Sequence, residues 1–214
     1  MDAIISIIAS IFGIVGTISS IYFQRKTKKI EAKMSKFDWQ DIELGVEALC
    51  KEISSDFNPE LILCASTGAA GIVANLFYLL SDKYIPVIYG SSKKRGNKFT
   101  VPVEDNRQYF YKTGKWETYV SNEIEKYKDR KILIIEDVVL SGDSLLEEKK
   151  LLVQCGYKEE NIRAAAVFVS NIAISSKKEP DYYWFKLEES SKYYYPWGRT
   201  IIGKGYNQCE HRCL

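Results

Sequence analysis

One feature constrains this chain more than any other: an uncharged run of 21 residues from Ala3 to Phe23. At 1.5 Å per residue such a helix is roughly 31 Å long, about the hydrocarbon thickness of a bilayer. Met1-Asp2 in front of it lacks the basic start of a cleaved signal peptide. Gln24-Arg25-Lys26-Thr27-Lys28-Lys29 follows at once, and the positive-inside rule then puts everything after Gln24 in the cytoplasm. Tyr22 and Phe23 suit the interface. Ala9, Gly13 and Thr17, with Gly16 and Ser20 beside them, form a row of small residues that lets membrane helices approach closely. The alternative is a buried core helix or an oligomerisation helix. The expectation is a single-pass span at 3–23 in the inner (plasma) membrane and a basic linker at 24–36 that can rest on anionic headgroups. A cytoplasmic domain at 37–214 follows, and the protein is expected to be a homo-oligomer.

The chain has 214 residues, enough for one compact domain beside the span. Its 46% hydrophobic and 27% charged residues exclude global disorder and a coiled coil. The net charge of +2 hides an asymmetry, because residues 24–36 carry six Lys or Arg against Glu31 alone. The remainder is slightly acidic, so the globular part has no bulk signature of nucleic-acid binding. The single histidine, His211, argues against a Ser-His-Asp triad, a Cys-His dyad or a multi-histidine metal site. Of the five cysteines, Cys50, Cys64 and Cys155 fall in apolar runs, where a thiol is usually a small buried hydrophobe. Cys209-Glu210-His211-Arg212-Cys213 offers three metal ligands without a fourth, so an exposed tail is the preferred reading. Its spacing is also wrong for prenylation.

From Trp39 to Ile53 apolar residues recur at three and four, which predicts a helix. Four short apolar runs, Leu61–Cys64, Ile85–Tyr89, Ile132–Ile135 and Ala165–Val169, read as buried strands. Helical stretches are expected at about 70–80, 117–127 and 144–155. This alternation predicts an α/β domain around a mostly parallel sheet flanked by helices. Residues 90–115 break the rhythm with Gly90-Ser91-Ser92-Lys93-Lys94-Arg95-Gly96. Two strand-like runs around Glu104-Asp105-Asn106 are expected to form a hairpin. A loop of that length in a compact domain is functional or disordered. No internal repeat or low-complexity tract is present.

The chemistry gathers after the third buried strand. There Lys131-Ile-Leu-Ile-Ile-Glu136-Asp137-Val-Val-Leu140 runs into Ser141-Gly142-Asp143-Ser144 and a helix. In open α/β sheets, ligands sit beyond the carboxyl ends of the strands. The first N–H groups of a helix lack internal partners and face its positive dipole end, so Ser141–Ser144 suits a phosphate. Glu136 and Asp137, expected at a solvent-facing strand end, suit sugar hydroxyls or the indirect positioning of magnesium. Each part alone is weak, since Asp143 or Ser144 can simply be an N-cap.

Together these residues resemble the phosphoribosyl-pyrophosphate signature of the type I phosphoribosyltransferases, over about Phe37 to Gly198. The resemblance implies that family's fold with a small hood. It implies Glu136 and Asp137 on the ribose hydroxyls, and Ser141, Gly142, Asp143 and Ser144 on the 5-phosphate. Asp137 would also serve a Mg2+ ion, indirectly. The family's pyrophosphate loop falls on Ser66, Thr67 and Gly68, where Thr67 stands in place of a frequent Arg; a tight Gly/Ala turn is the alternative. Lys93, Lys94 and Arg95 resemble its mobile cover loop, or else form an ordinary basic loop. Pro180-Asp181-Tyr-Tyr-Trp184 and Tyr193-Tyr-Tyr-Pro196-Trp197 resemble the xanthine/guanine/hypoxanthine branch. Tyr193 would there stack on the base, unless these aromatics are hood core or subunit interface.

Two departures bear on activity. That branch carries an acid/base Asp where this chain has Leu140, and a base-reading Lys where it has Ser170-Asn171. No catalytic residue is therefore assigned. The resemblance implies a membrane-anchored phosphoribosyltransferase (a pentosyltransferase) acting on phosphoribosyl pyrophosphate, or a nucleoside monophosphate, and a nitrogenous, purine-like base. The competing reading is a nucleotide- or phosphoribosyl-pyrophosphate-sensing module that signals through its membrane helix. A third is an effector of a bacterial defence or toxin module.

Overall fold

The computed structural model describes residues 34–66, 69–94, 108–112, 116–188, 192–203 and 206–211. The expected span at 3–23 lies outside them. Among the described residues, no helix is long and apolar enough to cross a membrane.

Two sheets divide the strands. The larger holds β2 (Leu61–Ser66), β3 (Val87–Lys94), β4 (Gln108–Lys112), β5 (Trp116–Ser121), β6 (Ile132–Val139), β7 (Ile162–Ser170) and β8 (Tyr182–Leu187). Its order is β4-β5-β3-β2-β6-β7-β8, with β3, β2, β6, β7 and β8 mutually parallel. The smaller is a hood of β1 (Met34–Lys36), β9 (Lys192–Tyr195), β10 (Gly198–Gly203) and β11 (Tyr206–His211). The first hood strand thus begins inside the stretch read as linker, because Met34–Lys36 pair in parallel with β9.

Helices cover both faces of the larger sheet: α1 (Trp39–Asp56), α2 (Ala70–Leu80) and α3 (Asp143–Gln154), with a short α4 (Asn171–Ser175) after β7. Asp38 starts α1 with a reciprocal capping box, accepting from the Asp41 amide at 3.0 Å while Asp41 accepts from the Asp38 amide at 2.9 Å. Along β2 and β6 the side chains alternate between two core layers, as the pleat requires. Ile62, Leu133 and Ile135 pack with Val46 of α1 and Val73 and Phe77 of α2. Leu61, Leu63, Ile132 and Ile134 pack instead with Leu145, Leu151 and Leu152 of α3. Because both faces are covered, β6 and β7 are apolar runs rather than alternating ones. Gly45 lets α1 lie against β8: a Cβ there would come 2.5 Å from the Trp184 ring.

Two expectations fail here. Residues 117–127 are not an α-helix but strand β5 followed by a short 3-10 segment, Asn122–Tyr127. Trp-Glu-Thr-Tyr-Val-Ser is β-branched and aromatic, and alternation buries Thr118 and Val120 while the residues between them stay half-exposed. A hairpin pairs β4 with β5, from Gln108 opposite Ser121 to Lys112 opposite Glu117; the turn expected at Glu104-Asp105-Asn106 lies outside the described residues. Nor are Lys93 and Lys94 in a loop: they end β3, opposite Glu117 and Trp116. Arg95 lies outside the described residues.

Candidate functional site

Chain direction singles out one crevice. From β2 the chain passes through α2 to β3 on one side, and from β6 through α3 to β7 on the other. The topological switch point therefore falls between β2 and β6, at their carboxyl ends, where open α/β sheets bind ligands. Ser66 ends β2 there, and Glu136 to Ser144 leave β6 there. Thr67 and Gly68 lie outside the described residues.

At the β6–α3 junction, Gly142 takes the left-handed conformation with φ of 72°, which turns the chain sharply into α3. No side chain of Gly142 can cap that helix. Ser141 instead accepts from the Asp143 amide at 3.3 Å, and Leu146 N–H donates to the Gly142 carbonyl at 3.0 Å to open the helical ladder. The first N–H groups of a helix have no carbonyl partner within it. Asp143 pairs with Lys178, whose Nζ is 2.5 Å from Oδ1. Glu136, Asp137, Ser141, Gly142, Asp143 and Ser144 are thus contiguous along the chain, from the end of β6 into the first turn of α3.

Glu136 and Asp137 are less accessible than expected, each only 4% exposed. Beside Glu136, Glu148 on the buried side of α3 is fully enclosed. Burial pushes the Glu148 carboxyl up to about 8, and its contact with Glu136 opposes that rise. Two carboxyls so close in an apolar layer titrate as a pair and hold a proton at neutral pH.

The two residues expected to meet the base do otherwise. Tyr193 is buried and stacks on Phe37, with centroids 6.4 Å apart and planes at 23°. Its hydroxyl accepts from the Glu188 amide at 2.7 Å. With Phe37, Phe168, Phe185 and Tyr195 it forms the aromatic hood core that the competing reading expected. Ser170 is wholly buried; its hydroxyl donates to the Leu140 carbonyl and accepts from the Ile172 and Ala173 amides. It caps α4 and ties β7 to β6, leaving nothing to read a base.

Sequence reasoning missed Glu148 and Lys178. Glu148 had a signal, since Leu145, Glu148 and Leu151 fall on one buried stripe of α3. Lys178 had none, because only the fold brings it back 35 residues to Asp143. A groove of about 810 Å³ lies elsewhere, between the outer side of α3 and the starts of β7 and β8. Its Lys149 and Arg163 are both already paired with Asp181, which makes it a poor anion site. Among the described residues no three His, Cys, Asp or Glu cluster as a metal cage.

A family model described as a phosphoribosyl transferase domain matches residues 37–199. A purine phosphoribosyltransferase from Pyrococcus horikoshii has the same fold, with a TM-score of 0.55 at 21% identity, over 77% of this chain and 94% of that one. A hypothetical protein from Neisseria gonorrhoeae with bound ppGpp gives a TM-score of 0.56 at 15% identity, over 77% and 89%. At these identities the likeness is one of fold. No curated protein matches the sequence.

Proposed function

Since the chain belongs to the phosphoribosyl transferase domain family and is on that ground a phosphoribosyltransferase, we propose that it binds phosphoribosyl pyrophosphate at the β2–β6 crevice. It passes the phosphoribosyl group to a nitrogenous, purine-like base. The observation that carries this reading is the β6–α3 junction, where an acidic pair and a left-handed glycine turn meet at the topological switch point. In the reaction the bond from ribose C1 to the pyrophosphate oxygen breaks and a bond from C1 to the base nitrogen forms, through an oxocarbenium-like state. No covalent nucleophile is needed. Glu136 and Asp137 accept hydrogen bonds from the ribose hydroxyls, while the N–H groups and hydroxyls of Ser141–Ser144 hold the 5-phosphate. Positioning and charge stabilisation supply the catalysis.

Magnesium fits this donor set in one way. A Mg2+ ion carried mainly by ligand phosphates would need only indirect help from this buried acidic pair, which Asp137 would give through water. Such an ion would neutralise the departing pyrophosphate.

The uncharged run at 3–23 and the basic stretch after it support anchoring in the inner membrane with the catalytic domain in the cytoplasm. Carbonate washing of membranes should leave the intact protein in the pellet; release would reject the span. The enzymatic reading is tested by incubating the intact chain with phosphoribosyl pyrophosphate, magnesium and a panel of bases, and measuring new nucleotide by mass. Neither binding nor product would reject it. Binding without product would favour the sensing module. The internal hydrogen bonds of Ser170 and the apolar side chain of Leu140 support that second reading, as does the ppGpp described with the Neisseria neighbour.

A further inference from the structure

The short α4 is tied to the β6–α3 junction at both ends. At its start, the Ser170 hydroxyl donates to the Leu140 carbonyl. At its far end, Lys177 takes the left-handed conformation with φ of 54°, and the Lys178 amide donates to the Ala173 carbonyl at 2.9 Å. That closure lays the backbone of Lys178 directly over Gly142, so closely that a Cβ on Gly142 would come 2.1 Å from the Lys178 carbonyl oxygen. The position of Lys178 is thus set by packed backbone. Its ammonium reaches Asp143 at 2.5 Å, and both side chains stay partly open, at 35% and 27% exposure.

Asp143 poses a problem for the phosphate subsite. It puts a carboxylate in the first turn of α3, where the helix start would otherwise attract a phosphomonoester dianion. A negative charge beside that position opposes the incoming one. An ammonium held against it removes the opposition.

We propose that Lys178 is a positioning residue of the phosphate subsite: by neutralising Asp143 above Gly142, it makes the Ser141–Ser144 turn receptive to a 5-phosphorylated ribose. This rests on the reading of the β6–α3 junction given above.

The test measures binding of ribose 5-phosphate, and of phosphoribosyl pyrophosphate with magnesium, to the intact chain. Lys178→Met should weaken both by about tenfold or more, the scale of one lost charge-assisted interaction. Lys178→Arg should bind within about threefold of the wild type, since it restores the charge at the same place. Adding Asp143→Asn to Lys178→Met should recover most of the loss, a rescue that no general loosening of the fold would produce. Melting curves establish that each variant is folded, and Lys178→Gln carries the same test if the Met variant is not. Unchanged binding by Lys178→Met overturns the proposal, and so does a folded double variant as weak as the single one. A wild-type chain that binds neither ligand would instead overturn the site reading, and the role of Lys178 with it.

Discussion

Glu148 of α3 lies beside Glu136 of β6, so one apolar layer encloses two carboxyl groups where the sheet delivers its acidic pair. Burial raises the Glu148 carboxyl from the ordinary 4.5 to about 8. Below pH 4.5 the folded and unfolded states are both protonated and the group costs nothing. Between pH 4.5 and about 8 the unfolded chain gives up a proton that the folded one keeps, so stability falls as pH rises. Above about 8 the loss is complete. The slope for one such group approaches about 1.4 kcal/mol per pH unit. Glu148→Gln should flatten the decline, and at pH 8 should be more stable than the wild type by roughly 1–3 kcal/mol. Denaturation of the intact chain at a series of pH values measures this; identical slopes in the two proteins would refute it.

Gly45 faces the Trp184 ring at a distance that leaves no room for a methyl group. Gly45→Ala should therefore destabilise the protein by roughly 1–3 kcal/mol, although alanine is the better helix former by about 1 kcal/mol. The second substitution Trp184→Leu should recover part of the loss, which a double-mutant cycle on melting would show. A Gly45→Ala chain that melts higher than the wild type would mean that α1 and β8 separate easily.

What could be read from the chain alone depended on locality. β2, β6 and β7 are buried on both faces, so each stands out as an apolar run, and the regular spacing in α1, α2 and α3 does the same for helices. β5 was misread because its alternation spans few residues and passes directly into a 3-10 turn. The β6–α3 junction was visible because all its residues are contiguous. Tyr193 shows the opposite case. An aromatic run looks the same whether it stacks on a base or on Phe37, and only the parallel pairing of β1 with β9 brings Phe37 beside it. Lys178 depends on the closure after α4, a backbone event with no residue-type signature.

Asp137 and Ser144 probe the ligand from its two ends. In the proposed site, Asp137→Asn would remove a charge from the ribose end and Ser144→Ala one hydroxyl from the phosphate end. Each should weaken binding of a 5-phosphoribosyl ligand by roughly 1–3 kcal/mol. Asp137 is only 4% exposed, so its substitution should also lower stability, whereas half-buried Ser144 should leave the melting temperature almost unchanged. Titration calorimetry with phosphoribosyl pyrophosphate and magnesium decides the matter. Unchanged affinity in both variants would remove the site from this junction.

Leu140 separates transfer from sensing. Its half-buried side chain packs against the core layer that holds α1 and α2, beside Val138 and Ile172, while its carbonyl accepts from Ser170. Nothing at this position moves a proton, and a positioned acid or base typically contributes about 10²–10⁴-fold to rate. A purine transferase relying on phosphate positioning alone should turn over slowly. Leu140→Asp should then raise its rate, at some expense of stability because the new carboxylate enters an apolar neighbourhood. In a sensing module the same change should leave transfer undetectable, since Ser170 is occupied by the Leu140 carbonyl and the α4 amides and reads no base. Single-turnover assays with hypoxanthine, guanine and xanthine distinguish the two outcomes. A fast wild-type purine transferase slowed by Leu140→Asp would contradict both, because proton transfer would then have to come from a group away from the end of β6.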